Sequence, residues 1–137
     1  MPPIPYSRMY ILGRPDVRPS PRPRIMESCQ DELNKLFPTT QQLVVLKAQI
    51  QKRMNFFQDH PSDFFVANPL FEYYCSYSDQ GTPLPIYVMR FNKIKILGNL
   101  RIFFVIKDNE MYMLHAFCEK KKSDYDLAYD VVKTRLS

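Results

Sequence analysis

Between Phe91 and Tyr129 the chain reads FNKIKILGNLRIFFVIKDNEMYMLHAFCEKKKSDYDLAY. Cations border two apolar runs. Arg90, Lys93 and Lys95 precede the first, Arg101 lies within it, and Lys120, Lys121 and Lys122 follow the second. Arg101 is the sharpest of these. It interrupts LRIFFVIK, and an arginine buried there without a partner is costly. It must pair with an acid such as Glu119 or turn its planar fork towards a phosphate. Lys93 and Lys95 alternate with Ile94 and Ile96, so a strand would put both on one face, as reactive groups or as solvated guards against edge pairing. Tyr125 and Tyr129, one helical turn apart, offer rings on which a base can stack. His115 sits in the second apolar run. A two-residue turn between the runs pairs it with Ile102 and faces it away from Arg101, whereas a three-residue turn puts both on one face. Cations interleaved with aromatic rings suit a polyanion that carries bases.

The elements that would position these groups follow from pattern. Leu100–Lys107 and Met111–Cys118 read as strands of a hairpin closed by Asp108-Asn109. Ile86–Ile96 reads as one long strand or two short ones, and Gly98-Asn99 as a type II′ turn. Asp124–Leu136 is an amphipathic helix behind Ser123, with Leu127, Val131 and Leu136 on one side and Val132 beside them. Upstream, Ile25, Cys29, Leu33 and Leu36 recur at helical spacing as far as Phe37. Thr39-Thr40-Gln41-Gln42 is a capping box opening a helix to about Gln58, with Leu43, Leu46, Ile50, Met54 and Phe57 as its stripe and Lys47, Lys52 and Arg53 off it. Pro61 closes that helix, with His60 as a C-terminal cap. Residues 62–85 hold one strand around Leu70–Tyr77 and turn signals at Asp79-Gln80-Gly81 and Pro83-x-Pro85. The expectation is an α+β domain over residues 25–137: a small antiparallel sheet packed by an N-terminal helical hairpin and a C-terminal helix. Residues 1–24 hold seven of the twelve prolines and read as a basic arm with one short edge strand at Arg8–Leu12.

Composition narrows the class. The chain has 137 residues, 45% hydrophobic, which suits one packed domain. Net charge is +5, and the excess sits at the two ends: five arginines against one aspartate in residues 1–25, ten cations against six acids in residues 90–137. Cys29, Cys75 and Cys118 are odd in number and widely spaced, which indicates neither a disulfide framework nor a zinc site. No metal or cofactor motif is present: Gly13, Gly81 and Gly98 stand alone, and HExxH, GxSxG and DxDxDG are missing. With no signal-peptide pattern and no apolar run near the ~18 residues of a membrane span, a cytoplasmic chain without membrane contact is expected.

Two blocks, Arg24–Pro61 and Lys93–Leu136, resemble the RelE/HigB superfamily of type II toxin–antitoxin toxins. NKIKILGNLRIFFVIKDN is similar to the family's paired basic strands, and EKKKSDYDLAYDVVK to its C-terminal basic stretch with a tyrosine. The basic arm and residues 62–85 exceed the family's compact form. The resemblance implies an endoribonuclease that cuts mRNA in the ribosomal A site, needs no metal or cofactor, and is held inactive by an antitoxin protein. It implies that the 2′-hydroxyl is the nucleophile. Lys93 and Lys95 match the strand lysines, one of which would help activate it. Arg101 matches the arginine that stabilises the transition state. Lys121 stands where the family has a second arginine, proposed as general acid, and supplies charge there without the fork. Tyr125 is the nearest match to the stacking tyrosine, with Tyr129 as the alternative. Arg90 and His115 fit other branches, and Lys120 and Lys122 complete the RNA-binding set. A gyrase-inhibiting toxin of the ParE type and a relative that binds RNA or protein without catalysis are the competing expectations; Lys93, Lys95 and Arg101 argue against the former.

Overall fold

In the computed structural model, residues 9–11, 22–59, 71–91, 94–107 and 110–137 are described. Lys93, His60, the Asp108-Asn109 turn, residues 62–70 and most of the proline-rich arm lie outside them. Six described strands form one sheet: β1 (Met9–Ile11), β2 (Arg22–Met26), β3 (Phe71–Asp79), β4 (Thr82–Arg90), β5 (Leu100–Lys107) and β6 (Glu110–Cys118). Their spatial order is β1-β2-β6-β5-β4-β3. The helices are α1 (Glu27–Leu36), α2 (Thr40–Asp59) and α3 (Ser123–Leu136). The α+β class holds, and β1 is the expected short edge strand.

The sheet is mixed rather than antiparallel. β2 runs parallel to β6, with Arg24 opposite Tyr112 and Ile25 opposite Met113. Ile25 and Met26 therefore end a strand instead of starting a helix, and Arg22–Arg24 belong to the sheet rather than to a loose arm. Ile25 supports either reading, because a residue entering a helix from a buried strand fits both periods. α1 then buries Cys29 and Leu33 against β2 and β6.

The capping box forms as expected. Gln42 N–H donates to Thr39 Oγ1 at 3.1 Å, and Thr39 N–H donates back to Gln42 Oε1 at 3.2 Å. Leu46, Ile50 and Met54 are buried along α2, and so is Arg53, which the sequence pattern puts off the stripe. Its Nε and Nη2 donate to the carbonyl of Arg90 at 3.1 and 2.8 Å, and its Nη1 donates to the backbone oxygen and side chain of Gln49. The guanidinium lies 4.2 Å from the Phe91 ring centre. These acceptors satisfy its donors without neutralising it, and burial lowers its pKa to about 10. α2 is thereby fastened to the end of β4.

After Arg90 the chain leaves the sheet, and Lys95–Leu97 form a 3-10 turn instead of continuing a strand. Gly98 has φ 59° and ψ −138°, the first corner of a type II′ turn. It does not close the expected hairpin of adjacent strands. It steers the 3-10 turn into β5, and the whole of residues 91–99 connects β4 to β5. A side chain at Gly98 would meet nothing within 4 Å, so Gly98→Ala carries only the backbone penalty of that conformation. We expect a loss of about 1–2 kcal/mol in urea unfolding. An unchanged midpoint would show that the turn relaxes.

β5 and β6 pair from Lys107 opposite Glu110, the spacing of a two-residue connection. Phe104 faces Met113, but Phe103 faces His115, so Leu114 is the extra residue of a β-bulge. The bulge reverses the parity that a two-residue turn alone would give. Phe103 and His115 share a face, and Arg101 opposite Phe117 shares it too. Phe117 stacks on both His115 and Phe103 there. α3 packs over this face, burying Ala128, Val132 and Leu136. Its inward side is turned by one residue from the expected stripe, which leaves Leu127 63% exposed.

Candidate functional site

Arg90 and Arg101 stand directly opposite one another on β4 and β5. Like charges at opposed positions of a ladder repel, so such a pair needs compensating groups. Here both arginines line a cleft of about 470 Å³ with Glu72 and Tyr74 of β3, Glu119 beyond β6, and Lys122, Tyr125 and Asp126 at the start of α3. Glu119 accepts from Arg101 Nε at 3.0 Å, and Glu72 lies 3.6 Å from Arg90 Nη1. The acid expected as the alternative to a phosphate on Arg101 is therefore in place.

Arg101 is almost fully buried and tightly held. Nε is shared between Glu119 and the hydroxyl of Tyr125 at 3.0 Å each, and Nη1 donates to the carbonyl of Leu100 at 3.0 Å. Arg90 is less fully used: its Nε is buried with no hydrogen-bond partner among the described residues. An orphaned guanidinium donor beside a cleft is a place for an incoming acceptor. The phenol of Tyr125 is pushed up, chiefly by burial and against the pull of Arg101, and its oxygen accepts from Arg101 Nε. Its ring is wedged edge-on to Phe117 and Phe103 and lies nearly parallel to Tyr74, with centres 5.9 Å apart. Tyr74 in turn donates to Asp126 at 2.6 Å.

The structure brings together Arg90, Arg101, Lys122 and Tyr125, and leaves elsewhere the other expected site residues that are described; Lys93 lies outside the described residues. Lys95 is exposed on the 3-10 turn rather than on a strand beside Arg101. The side chain of Lys121 is exposed and does not line the cleft; its N–H, like that of Lys120, donates to Asp124 in the first turn of α3. Tyr129 packs into the rings of Tyr74 and Phe103 under Lys133 and is not free to stack on a base. Lys120 and His115 line a second hollow of about 320 Å³ with Phe117, Leu127, Ala128 and Val131. Lys122, just before α3, and Tyr125 and Asp126 on it line the first cavity, and Asp124, Leu127, Ala128 and Val131 the second. The helix therefore separates them.

His115 is held from behind. Its Nδ1 lies 2.7 Å from Glu32 of α1, which also receives both Nη atoms of Arg135 from α3 at 2.8–2.9 Å and the N–H of Ala116. Burial would raise the Glu32 carboxyl, but the hydrogen bonds from His115 and Arg135 and the neighbouring positive charge outweigh it and bring the pKa to about 2. This cluster, the cross-strand arginine pair and Glu72 went unread in the sequence because each is assembled from distant segments. The cleft itself is nearly balanced in charge, with Arg90, Arg101 and Lys122 facing Glu72, Glu119 and Asp126, rather than a basic hollow.

Among the described residues no cluster of His, Cys, Asp and Glu could hold a metal ion, and no helix is long and apolar enough to cross a membrane. No known protein family, curated protein or solved structure matches this chain.

Proposed function

We propose that the chain is a toxin of the RelE/HigB type: a ribosome-dependent, metal-independent endoribonuclease of the cytoplasm that cuts mRNA and is restrained by a cognate antitoxin. The observation that carries this reading is the directly opposed pair Arg90 and Arg101 at the cleft. Two guanidinium groups at one point of a sheet suit a phosphodiester, whose charge grows as it passes through a phosphorane. In this mechanism the 2′-hydroxyl attacks the adjacent phosphorus. Arg101 and Arg90, whose Nε has no partner among the described residues, take the developing charge. Glu119, the carboxylate on Arg101, accepts the 2′-proton, and Lys122 returns one to the departing 5′-oxygen. Tyr125 fixes Arg101 from the helix side. Lys95 and Lys121 have no part in this set.

A second reading rests on a different observation. Both arginines already face carboxylates, the state expected of a relative that binds RNA or protein but has lost catalysis. The two part on one experiment. When expression of the full chain is induced in growing bacteria, the toxin reading requires arrest of growth and of protein synthesis, reversed by the antitoxin. Undisturbed growth and translation at high expression leave only the binding reading.

A further inference from the structure

Three lysines that the cleft leaves unused stand at one end of the sheet. Lys95 lies on the 3-10 turn before β5, and Lys120 and Lys121 lie between β6 and α3. The two segments are tied together: Glu119 N–H donates to the carbonyl of Asn99 at 3.0 Å, and Asn99 Nδ2 donates to the carbonyl of Glu119 at 3.4 Å. All three lysines are exposed, and none forms an ion pair among the described residues. By contrast Arg24, Arg90, Arg101, Lys107 and Arg135 each face a carboxylate. The acids at this end have other partners. Glu119 holds Arg101, Asp124 Oδ2 accepts from the N–H groups of Lys120 and Lys121, and Asp126 accepts from Tyr74. Lys120 and Lys121 also precede the first residue of α3, the positive end of the helix dipole, where folding disfavours cations.

We infer that Lys95, Lys120 and Lys121 form a rim that holds RNA by its phosphates, outside the cleft and without regard to sequence. A lysine meets phosphate as a point charge and needs no fixed fork. The exposed residues beside these lysines in the chain are Gly98, Asn99 and Ser123, which give no apolar anchor of the kind a protein partner or a lipid surface uses. Leu127, the exposed large apolar residue of α3, belongs to the second hollow, which only Lys120 of the three borders. Phosphate contacts require no such anchor. The inference rests on the proposal that RNA is the ligand, and adds how it is gathered. A cleft with balanced charge attracts a polyanion weakly, and the rim supplies the unbalanced charge beside it. Lys122 follows Lys121 and lines the cleft, so it joins the two.

The test is fluorescence anisotropy of a labelled RNA hairpin of arbitrary sequence with the full chain, without ribosomes, over about 50–200 mM NaCl. Each phosphate contact contributes about 0.9 to the slope of log affinity against log salt. The variant carrying Lys95→Gln, Lys120→Gln and Lys121→Gln should therefore lose about 2–3 of that slope and bind about tenfold or more weakly at the low-salt end. It should melt at or above the wild-type temperature, because cations leave the positive end of a helix. Lys95→Gln alone, away from α3, should lower the slope by about one. Lys35→Gln with Lys47→Gln, which removes exposed lysines from α1 and α2, should leave it unchanged. An unaltered slope in the triple variant, an equal loss in the Lys35 and Lys47 variant, or no binding by the wild type overturns the rim. Tighter binding to phosphatidylglycerol vesicles than to the hairpin, lost in the triple variant, would give these lysines to a membrane surface and overturn RNA as the partner. Cleavage plays no part in this readout, so failure of the rim and failure of the nuclease reading remain distinct.

Discussion

Arg101→Ala is expected to lower the rate of RNA cleavage by about 10²–10³-fold, the loss seen when one preorganised donor to a developing oxyanion is removed. Three features of the site lead there. Arg101 is fixed by Glu119, Tyr125 and Leu100 before any substrate arrives, so no reorganisation is needed at the moment of reaction. It faces Arg90 across the ladder, so its loss halves the paired charge. It also orients Glu119, which in this mechanism takes the 2′-proton. Arg101→Lys keeps the charge but loses the fork, and should fall between wild type and alanine. The alanine variant leaves Glu119 and the Tyr125 hydroxyl without their donor in a partly open cleft, at a cost of about 1–2 kcal/mol. Circular dichroism should show the fold retained, so a lost rate cannot be ascribed to unfolding. Glu119→Gln separates the two readings of the cleft. If Glu119 is the base, cleavage drops although RNA binding tightens. If it only neutralises Arg101, binding tightens and nothing else changes.

Glu32→Ala should destabilise the fold more than any other single polar substitution in the helices or the cleft. Glu32 draws α1, β6 and α3 to one point through Arg135, His115 and the N–H of Ala116. Its removal strands the Arg135 guanidinium, 18% exposed, beside His115. Breaking such a pair from one side costs about 3–5 kcal/mol when fully buried. The partial exposure here brings the expectation to about 2–4 kcal/mol, or a fall in melting temperature of roughly 8–15 °C for a chain of this size. The same carboxylate predicts an acid limb. Its folded pKa, about 2, lies below the ordinary 4.5, so the unfolded chain binds the proton more readily. The contribution is complete above about pH 4.5 and disappears as the pH falls towards 2. Glu32→Gln should flatten that limb. A variant that melts at the wild-type temperature, with its acid limb unchanged, would show that Glu32 carries no such weight.

Local chemistry was legible in the sequence, and distant pairing was not. The Thr39–Gln42 box, the Asp79-Gln80-Gly81 turn and the two apolar runs of β5 and β6 are decided within a few residues, and each forms as read. The opposition of Arg90 and Arg101 depends on how residues 91–99 fold. Alternating Lys93-Ile94-Lys95-Ile96 suggests a strand, whereas Lys95–Leu97 make a 3-10 turn, and that difference moves Lys95 out of the site. The bulge at Leu114 has no marker in an unbroken apolar run, yet it alone places His115 on the face of Arg101. α3 offers two rival apolar stripes, Leu127 with Val131 and Ala128 with Val132, and the fold buries the second. The parallel seam of β2 and β6 joins segments nearly ninety residues apart, beyond the reach of periodicity.

The central claim is that opposed arginines on adjacent strands act on an RNA phosphodiester. Its most direct test is primer extension along a message under translation, with wild-type protein and Arg101→Ala side by side. Discrete stops within the coding region are predicted for the wild type, and their near disappearance for the variant. Stops of equal strength in both lanes would contradict the claim, as would a message left intact by the wild type.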